Sequence, residues 1–334
     1  MMKAAVMQGL HQPLRVERLP DPQPGPGEVV LKVGRCGVCG SDLHMTEDAA
    51  FGKQAGDVLG HEFAGEVVAL GQGVTELATG DLVSAVPLMG CGHCAACLAG
   101  EPAWCPEFAL QGGGYAEYVR TRAQQCVRLP RSASLADGAI IEPLAVALHG
   151  VMLSGLKPHD SVLVLGAGPI GLAVAFWARR MGAAHVVVQD IVPHQQERAL
   201  AMGATDFIID REDPVGASDR ALKGKADIVY ECVGVPGLIA QAAEQVRNKG
   251  TVLILGLCTK PDSFVPFAVL SKEIRLQTSA FFKLQEYEAA LDALDAGAAQ
   301  PRLLVTDTVS LEQLPASFEA LKQRTHHCKI LIAP

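Results

Sequence analysis

Residues 161–190 read SVLVLGAGPIGLAVAFWARRMGAAHVVVQD, and this stretch decides the fold of the chain. A short apolar run comes first, three closely spaced glycines follow it, and an apolar segment long enough for a helix comes next. The stretch closes with a second apolar run, HVVVQ. Short buried strands that alternate with helices are typical of a parallel sheet covered on both faces. The stretch therefore predicts a strand, a tight turn, a helix and a second strand of such a sheet.

The three glycines have the spacing Gly166-x-Gly168-x-x-Gly171, which is typical of a dinucleotide-binding turn. The first glycine permits the tight turn, the second lets a pyrophosphate approach the backbone, and the third lets the helix pack closely on the strand. The first turn of the following helix offers free N–H groups and a partial positive charge to the phosphates. The spacing therefore predicts a dinucleotide site at this turn.

Asp190 ends the second apolar run, about 20 residues after Gly171, where dinucleotide-binding domains place the acidic residue that binds the ribose hydroxyls. A carboxylate there repels the 2′-phosphate of NADP, and residues 191–197 contain no Arg or Lys that would attract it. The pattern therefore predicts NAD rather than NADP as the cofactor. The residues predicted to bind it are Gly166, Gly168, Pro169, Ile170, Gly171, Asp190, Val233 and Gly256.

The sequence before this stretch has a different pattern. Over residues 1–150, short β-branched runs such as EVVLKV and AGEVVAL alternate with turns rich in Gly and Pro. From about residue 160, strand runs alternate with helical segments, and after about residue 280 a helix and a final strand remain. We therefore predict an α/β chain. A β-rich catalytic domain covers residues 1–150, a doubly wound parallel-sheet (Rossmann) NAD-binding domain covers residues 151–280, and residues 281–334 return to the first domain.

Composition argues against several classes of protein. The chain has 334 residues, of which 49% are hydrophobic and 19% charged, as expected of a globular protein with two domains. Its net charge of −8 argues against binding to nucleic acid or to an anionic membrane. Residues 162–178 are almost wholly apolar, but glycines and a Pro near their start predict a strand, turn and helix rather than a membrane span. The N-terminus MMKAAVMQGL lacks the sustained apolar segment of a signal peptide, so we expect a cytoplasmic protein.

Four of the ten cysteines lie within fifteen residues, with the spacing Cys91-x2-Cys94-x2-Cys97-x7-Cys105. Four thiolates fill the tetrahedral shell of zinc and leave no open position, which is typical of a structural zinc site. His93 lies inside this loop, but the four cysteines already complete the shell. The loop therefore predicts a structural zinc ion. Four other cysteines stand alone in apolar or strand-like surroundings and are expected to be small buried residues: Cys126, Cys232, Cys258 and Cys328.

A second group of metal-binding residue types is dispersed along the chain. Cys39 begins the stretch CGSDLH, His61 and Glu62 lie in the stretch GHEF, and Glu142 comes much later in IEPLA. A catalytic zinc has fewer protein ligands than a structural one, because it keeps a position for water or the substrate oxygen. Cys39, His61 and a carboxylate would supply such an open shell. Together with the dinucleotide turn and the four-cysteine loop, they predict a second, catalytic zinc ion and hence two per chain.

These motifs occur in the order found in the zinc-containing branch of the medium-chain dehydrogenase/reductase family, which the chain resembles nearly end to end. The stretches CGSDLH, GHEFAGEVV, IEPLAVALHG and VLGAGPIGL, together with the four-cysteine loop, carry the resemblance. It implies a GroES-like fold for the first domain. It also implies that Cys39, and not Cys36, is the thiolate ligand of the catalytic zinc and that His61 is the imidazole ligand.

The resemblance assigns roles to three further residues of the CGSDLH stretch. Ser41 would take the proton of the substrate hydroxyl, and His44 would pass it to solvent. Asp42 would steady the zinc ligands from behind. These three are therefore the predicted catalytic residues.

The chain departs from the liver-type alcohol dehydrogenases at one ligand of the catalytic zinc. Where they have a second cysteine, this chain has Glu142, which looks like the sorbitol and butanediol dehydrogenase branch. In that branch either of two carboxylates, here Glu62 or Glu142, reaches the metal. Glu62 and a water-bridged Glu142 both remain candidates.

The resemblance implies a zinc-dependent, NAD-linked alcohol dehydrogenase that moves a hydride between an alcohol carbon and nicotinamide. Glu142 favours secondary alcohols, vicinal diols or polyols over the alternative within the family, primary alcohols and aldehydes. A zinc-free reductase of activated double bonds is disfavoured by Cys39, His61 and the four-cysteine loop, and a non-catalytic relative by Ser41 and His44. By analogy alone we expect a homo-oligomer, a tetramer before a dimer.

Overall fold

The computed structural model of the protein describes residues 1–323 and 326–334. These residues form two units, of which the first comprises Met1–Glu142, Lys283–Ala298 and Val305–Pro334, and the second Pro143–Phe282 and Ala299–Leu304. The predicted boundaries fall at residues 150 and 280, whereas the structure divides the chain after Glu142 and after Phe282. The first unit is therefore assembled from three separate segments of the chain.

The first unit consists mainly of short strands, which the β-branched runs and the Gly- and Pro-rich turns between them favour. The strands are β1 (Met2–Val6), β2 (Arg15–Leu19), β3 (Glu28–Gly37), β4 (Glu62–Leu70), β5 (Leu82–Ala85), β6 (Leu88–Met89), β7 (Ala109–Leu110), β8 (Tyr118–Arg122), β9 (Cys126–Arg128), β16 (Val305–Ser310) and β17 (Lys329–Ala333).

Seven of these strands form the main sheet, in the order β16-β17-β3-β4-β5-β9, and β8 also pairs with β3. β17 runs parallel to β16 and antiparallel to β3, so it lies in the same sheet as the early strands. Gly37, at the end of β3, lies opposite Glu62, the first residue of β4. The register of this pair therefore brings residues just after β3 close to residues just before and at the start of β4.

The helices of the first unit are short, apart from one near its end. They are α1 (Gly40–Met45), α2 (Ala95–Leu98), α3 (Leu135–Gly138), α10 (Leu284–Asp295) and α11 (Leu314–Leu321). The backbone N–H of Cys39 donates to the carboxylate of Asp42 at 3.2 Å, which caps the first turn of α1. In α10 the buried side chains recur every three or four residues, as in an amphipathic helix on a core: Tyr287, Ala290, Leu291 and Leu294.

The second unit alternates strands and helices. Its strands are β10 (Ser161–Leu165), β11 (His185–Gln189), β12 (Asp206–Ile208), β13 (Ala226–Glu231), β14 (Val246–Ile254) and β15 (Arg275–Thr278). Helix α4 (Ile141–Ser154) leads into this unit, and the others are α5 (Pro169–Arg180), α6 (Gln196–Ala201), α7 (Pro214–Leu222), α8 (Leu238–Gln245) and α9 (Pro266–Leu270).

All neighbouring strands of this sheet are parallel, and their order is β12-β11-β10-β13-β14-β15. Successive strands are added toward one edge of the sheet from β10 to β12 and toward the opposite edge from β13 to β15. The direction in which the chain crosses the sheet therefore reverses between β10 and β13. In sheets of this type, ligands bind at the carboxyl ends of the strands where the order reverses. The predicted doubly wound parallel sheet is therefore confirmed, and its reversal point marks the place to look for a cofactor site.

The apolar stretch of residues 162–178 forms most of β10, a turn and the greater part of α5. Glycine and proline at the turn interrupt the apolar run, so it folds as a buried strand and helix. Within residues 1–323 and 326–334, no helix combines the length and the apolar character that crossing a bilayer requires.

Candidate active site and metal centres

The glycine turn follows β10, and each of its glycines has a separate geometric reason. Gly166 has a φ of +98°, and a Cβ there would lie 2.6 Å from Cγ2 of Val233. A Cβ at Gly171 would lie 1.9 Å from the carbonyl oxygen of Gly166, so α5 packs against the turn only with glycine at this position. Among the described residues, no atom lies within 4 Å of a Cβ built on Gly168, so its backbone is open to a ligand. With α5 beginning at Pro169, the turn fits a pyrophosphate at a helix N-terminus.

Asp190 lies directly beside this turn. One oxygen of its carboxylate accepts the backbone N–H of Ala167 at 2.7 Å, and the other accepts the N–H of Ile191 at 2.6 Å. Ile170 lies in the first turn of α5. The structure thus places Asp190 at the carboxyl end of β11 and ties it to the glycine turn, which fits the role predicted for it at the ribose.

Glu231, which the sequence patterns did not single out, fixes the other side of this site. Its buried carboxylate accepts the N–H groups of Val233 at 2.7 Å and Gly234 at 2.9 Å. Its carbonyl oxygen accepts the N–H groups of Leu255 at 2.8 Å and Gly256 at 2.9 Å. Glu231 therefore holds together the two turns that carry the predicted cofactor residues Val233 and Gly256. The sequence signal that could have identified Glu231 is a charged residue at the end of DIVYE, a run whose central residues are apolar.

The four-cysteine loop brings its sulfur atoms together. The Sγ atoms of Cys91, Cys94, Cys97 and Cys105 all lie within 4.8 Å of one another, whereas His93 is exposed, lies outside this group, and has its ring hydrogen-bonded to the carbonyl of Cys91 at 3.1 Å. Backbone N–H groups of His93 and Cys94 lower the pKa of the Cys91 thiol to about 6. Four thiols, one of them readily ionised, are the donor set of a closed tetrahedral zinc site.

The loop also contacts the later part of the first unit. The N–H of Leu284, the first residue of α10, donates to the carbonyl of Gly100 at 2.8 Å. The ammonium of Lys283 lies 2.5 Å from the carboxylate of Glu101. The start of α10 is therefore anchored to the four-cysteine loop, which ties the integrity of the loop to the packing of the helix.

The expectation that the isolated cysteines are buried is confirmed for Cys328, holds only in part for Cys126 and Cys232, and is wrong for Cys258. Cys328 is buried, Cys126 and Cys232 are half-buried, and Cys258 is exposed. Cys258 follows the apolar run LILGL, but it lies in the loop after β14, outside the core. Apolar sequence neighbours therefore gave a misleading signal at the end of a buried strand.

The predicted ligands of the catalytic zinc converge in the first unit. The sulfur of Cys39, a ring nitrogen of His61 and a carboxylate oxygen of Glu62 all lie within 4.8 Å of one another. Cys39 precedes α1, and His61 and Glu62 lie at the start of β4, so the register of β3 and β4 brings them together. A thiol, an imidazole and a carboxylate around one point form a donor set that suits an open zinc site.

Asp42 supports this group from within the protein and is 1% exposed. Its carboxylate faces Nδ1 of His61 at 3.3 Å, and it accepts the N–H of Cys39 at 3.2 Å and the hydroxyl of Tyr115 at 2.6 Å. With Nδ1 turned to Asp42, Nε2 of His61 is the nitrogen directed to a metal. The role of Tyr115 was not predicted from the sequence, because none of its neighbours in the chain indicates that it binds Asp42.

The charges of Asp42 and His61 stabilise each other. Burial acts to raise the pKa of Asp42, but the adjacent imidazole of His61 outweighs it and lowers this pKa. Burial acts to lower the pKa of His61, but the Asp42 carboxylate raises it well above its usual value. The pair therefore retains a proton on the side of the ring that faces Asp42.

Lys329 is a second residue that the sequence patterns missed. Its ammonium lies 2.7 Å from each carboxylate oxygen of Glu62 and donates to the carbonyl of Val38 at 3.0 Å. Lys329 and Glu62 are only 2% and 1% exposed. Burial acts to lower the pKa of Lys329, but the Glu62 carboxylate, together with the nearby Cys39 and Glu142, outweighs it and raises this pKa. The available signal was a lysine that opens the otherwise apolar strand KILIA.

Glu142 lies in the first turn of α4, outside the group formed by Cys39, His61 and Glu62. It is 8% exposed, and burial raises the pKa of its carboxyl to about 7. Near neutral pH it is therefore protonated in part of the molecules, which makes it a weaker metal ligand than an ionised carboxylate.

Ser41 and His44 lie three residues apart on α1, so their side chains leave the helix on one face. The hydroxyl of Ser41 donates to the sulfur of Cys39 at 3.3 Å. The ring of His44 stacks on that of Phe51, with 6.4 Å between the centroids. In the described residues no hydrogen bond joins Ser41 to His44, so the structure places Ser41 at the metal group and His44 farther along the same helix.

Comparison with known proteins assigns the chain to a family. Residues 25–131 match the family model of the alcohol dehydrogenase GroES-like domain, and residues 169–296 match that of zinc-binding dehydrogenases. The sorbitol dehydrogenase of Bacillus subtilis (strain 168) is 32% identical over 346 residues, which cover 100% of this chain and 97% of that protein. The (R,R)-butanediol dehydrogenase of the same organism is 32% identical over 337 residues, which cover 96% of each.

A solved structure extends this similarity to three dimensions. It is described as a zinc-binding dehydrogenase from Sinorhizobium meliloti 1021 bound to NADP. It superposes with a TM-score of 0.91 at 31% identity, covering 100% of this chain and 99% of that one. The expected GroES-like fold of the first unit is thereby confirmed. The chain belongs to the zinc-containing medium-chain dehydrogenase/reductase family and is an oxidoreductase that acts on CH–OH groups.

Proposed function

We propose that this protein is a zinc-dependent dehydrogenase that oxidises secondary alcohols, vicinal diols or polyols, with NAD as its preferred hydride acceptor. The observation that carries the proposal is the convergence of Cys39, His61 and Glu62 in the first unit. The second unit has a glycine turn and an acidic residue that fit a dinucleotide. The substrate class is supported by the relatives named for sorbitol and (R,R)-butanediol and by Glu142 in place of a second cysteine ligand.

In this mechanism Cys39, His61 and one carboxylate hold the catalytic metal and leave a position for the alcohol oxygen. Zinc held there would supply Lewis acidity, which would polarise that oxygen and lower the pKa of the substrate hydroxyl. Ser41 accepts the hydroxyl proton, and His44 releases it to solvent. Asp42 keeps the ring of His61 in one orientation throughout. The glycine turn and Asp190 would hold the dinucleotide, which would supply the hydride acceptor.

We propose Glu62 as the direct carboxylate ligand and Glu142 as a residue that acts through bound water. An oxygen of Glu62 belongs to the converging group, and Glu142 lies outside it. Burial raises the pKa of Glu142 to about 7, so that near neutral pH its carboxyl is protonated in part of the molecules. A protonated carboxyl is a poor metal ligand, which disfavours Glu142 as the direct ligand.

The proposal further includes a structural zinc ion on Cys91, Cys94, Cys97 and Cys105, so that each chain binds two. Metal analysis of the purified protein should find about two zinc ions per chain. A panel of polyols, vicinal diols, secondary alcohols and primary alcohols, followed by NADH absorbance, should give the highest kcat/KM with one of the first three classes. Highest activity with primary alcohols, or a metal content of one zinc ion per chain or fewer, would contradict the proposal.

We also propose that the protein is cytoplasmic and forms a homo-oligomer, a tetramer before a dimer. Three exposed apolar side chains support self-association: Val265, Phe267 and Leu270. They lie on or next to α9, just before β15, the last strand of the second unit's sheet. Such a patch beside a sheet edge is typical of an interaction surface. Light scattering after size-exclusion chromatography should give a mass of four chains, and a monomeric mass would refute the association.

A further inference from the structure

The second unit has a cavity at the amino edge of its sheet, away from the glycine turn. Ile228, Thr251 and Arg275 are in register across the parallel strands β13, β14 and β15. Arg275 is the first residue of β15, so this row marks the amino edge, whereas the glycine turn follows the carboxyl end of β10. At about 3.3 Å per residue, the five residues of β10 separate the two edges by roughly 15 Å. The cavity is therefore distinct from the dinucleotide site.

The cavity has a volume of about 390 Å³, and its lining is rich in positive charge. Its cationic residues are Lys157, Arg247, Lys249 and Arg275. Only two carboxylates line it as well, those of Asp160 and Asp227, so four positive charges face two negative ones. The whole chain has a net charge of −8, which makes this a local reversal of sign. A concave site with an excess of positive charge attracts anions.

Asp227 fixes the position of one of these cations. One of its carboxylate oxygens accepts the N–H of Ser161 at 2.8 Å, and the other accepts Nε–H of Arg247 at 2.5 Å. Nη1 of Arg247 also donates to the carbonyl of Asn248 at 2.8 Å. Two hydrogen bonds therefore hold this guanidinium at the cavity, and within the described residues its Nη2 donates to no acceptor.

Arg275 and Lys157 retain charges that the protein does not neutralise. Nη2 of Arg275 donates to the carbonyl of Ser154, an uncharged acceptor. Asp160 accepts the backbone N–H of Lys157 at 2.8 Å and does not pair with its ammonium. In the part of the chain that the structure describes, no carboxylate lies at ion-pairing distance from Arg275 or Lys157, and both residues are exposed. Both cations are therefore available to an anion from solvent.

The lining also offers groups that bind hydroxyls. Thr251 is 8% exposed, and among the described residues its hydroxyl has no hydrogen-bond partner. The second carboxylate oxygen of Asp160 has none either. Lys249 is paired with Glu273 at 3.1 Å, but both side chains are largely exposed, so this pair contributes little to the shape of the cavity. Positive charge and hydroxyl-binding groups thus occur in one concave surface.

We propose that this cavity binds a phosphate monoester of a sugar or polyol. The guanidinium groups of Arg247 and Arg275 and the ammonium of Lys157 bind the phosphate, since charge-assisted hydrogen bonds to phosphate oxygens are strong. Asp160 and Thr251 bind the hydroxyl groups of the carbon chain. The volume lies in the range of small-molecule sites, about 300–1,000 Å³, and exceeds what a single phosphate needs. This site does not depend on the function proposed for the glycine turn.

The test measures binding of glycerol 3-phosphate and glucose 6-phosphate to the whole protein. Phosphorus NMR follows the broadening of each ester signal, without NADH and with NADH in excess, and should give dissociation constants of about 1 mM or below in both cases. Arg275→Gln should weaken both esters by about tenfold or more, and Arg275→Lys should recover part of the loss. Lys157→Gln, a change at an exposed residue, should weaken them as well. The control is Arg18→Gln, which removes the same charge from β2 of the first unit and should leave both affinities within about twofold.

Inorganic phosphate tests the part of the site that binds hydroxyls. It should bind about tenfold more weakly than glucose 6-phosphate, because it makes no contact with Asp160 or Thr251. Thr251→Val, which keeps the shape of the side chain, should weaken glucose 6-phosphate and leave inorganic phosphate within about twofold.

Three results would overturn the proposal. The first is the absence of binding by either ester. The second is an equal loss of affinity in Arg275→Gln and Arg18→Gln, or equal affinity for inorganic phosphate and glucose 6-phosphate, which would indicate a general attraction of anions to positive charge. The third is binding that disappears when NADH is added, which would place the esters at the dinucleotide site. A protein that binds the esters but not NADH would leave this proposal intact and refute the dinucleotide site alone.

Discussion

The two metal-binding groups of the first unit are assembled in different ways. The four-cysteine loop takes every donor from residues 91–105, and all four are thiols. The catalytic group takes Cys39 from one side of the β3–β4 connection and His61 and Glu62 from the other. Two of its supporting residues come from still farther away: Tyr115 is 73 residues from Asp42, and Lys329 is 267 residues from Glu62.

This difference has a physical consequence. The four-cysteine loop has little buried apolar surface of its own, so its order depends on the metal that its thiolates share. The catalytic ligands are instead held by protein contacts, namely the hydrogen bonds of Asp42 and the ion pair of Lys329. We therefore expect loss of the first metal to affect stability and loss of the second to affect mainly catalysis.

The largest expected effect is on the loop. Cys94→Ser should reduce the zinc content from about two ions per chain to about one and lower the thermal midpoint by about 5 °C or more, because a closed thiolate site contributes folding free energy. Cys39→Ser is the matched variant. It should also remove one zinc ion and abolish turnover, but change the midpoint by less than about 2 °C. Zinc analysis measures the metal content of the two variants, and calorimetry measures their thermal midpoints. Equal falls in the two midpoints would contradict the view that only the four-cysteine zinc stabilises the fold.

The next effect concerns the buried ion pair. Lys329→Met leaves the carboxylate of Glu62 buried without its partner and should lower the free energy of unfolding by about 3–5 kcal/mol. The double variant Glu62→Gln/Lys329→Met removes both charges and should recover much of that loss. Urea unfolding measures the differences.

Lys3→Met is the control for this pair. Lys3 also lies in a strand of the first unit and pairs with Glu312 at 2.6 Å, but both side chains are largely exposed. Its loss should leave the urea midpoint almost unchanged. A double variant no more stable than Lys329→Met alone would show that the lysine stabilises the sheet by packing and not through Glu62.

A smaller effect distinguishes the two carboxylates. Glu62→Gln should weaken binding of the catalytic zinc by roughly 10- to 100-fold or more, since an amide keeps the shape but is a poor zinc ligand. Glu142→Gln should keep the metal and lose turnover. Zinc competition titrations and steady-state kinetics on both variants make the measurement. The reverse pattern would identify Glu142 as the direct metal ligand. Wild-type zinc content and activity in both variants would show that neither carboxylate belongs to the site.

The smallest expected effect tests the outer support of the catalytic group. Tyr115→Phe removes the hydroxyl that donates to Asp42 at 2.6 Å and should lower stability by about 1–2 kcal/mol. Affinity for the catalytic zinc should fall by less than about tenfold, and the four-cysteine zinc should be retained. Competition titrations with a series of chelators of increasing zinc affinity measure the zinc affinities of the two sites separately. Unchanged affinity at the catalytic site would mean that Asp42 orients His61 without help from Tyr115.

The same contrast explains what the sequence could predict. The glycine turn and the four-cysteine loop depend on spacing within a few residues, so both were recognisable. Cys39, His61 and Glu62 were recognisable only through their combination with those motifs and the family resemblance. Tyr115 and Lys329 were not predicted, because each acquires its role from a partner that only the folded sheet brings near.

Cofactor recognition shows the same limit. The search for Arg or Lys in residues 191–197 considered only the chain that follows β11. It left out the residues that follow β12, the neighbouring strand. Arg211, three residues after the end of β12, donates to the carbonyl of Ile191 beside Asp190 because β11 and β12 are parallel neighbours, a fact that depends on strand order. The doubly wound fold was predictable from alternating strands and helices, but the order of its strands was not read from the sequence.

The position of β17 has a consequence for biosynthesis. A ribosome synthesises Glu62 long before Lys329, and the segment Pro143–Phe282 of the second unit comes between them. At about 5–20 residues per second, the interval lasts on the order of ten seconds or more. During that time the end of β3 lacks its β17 neighbour and Glu62 lacks its cation. A nascent chain stalled in the second unit therefore presents an open strand edge, the feature that chaperones and aggregation both exploit.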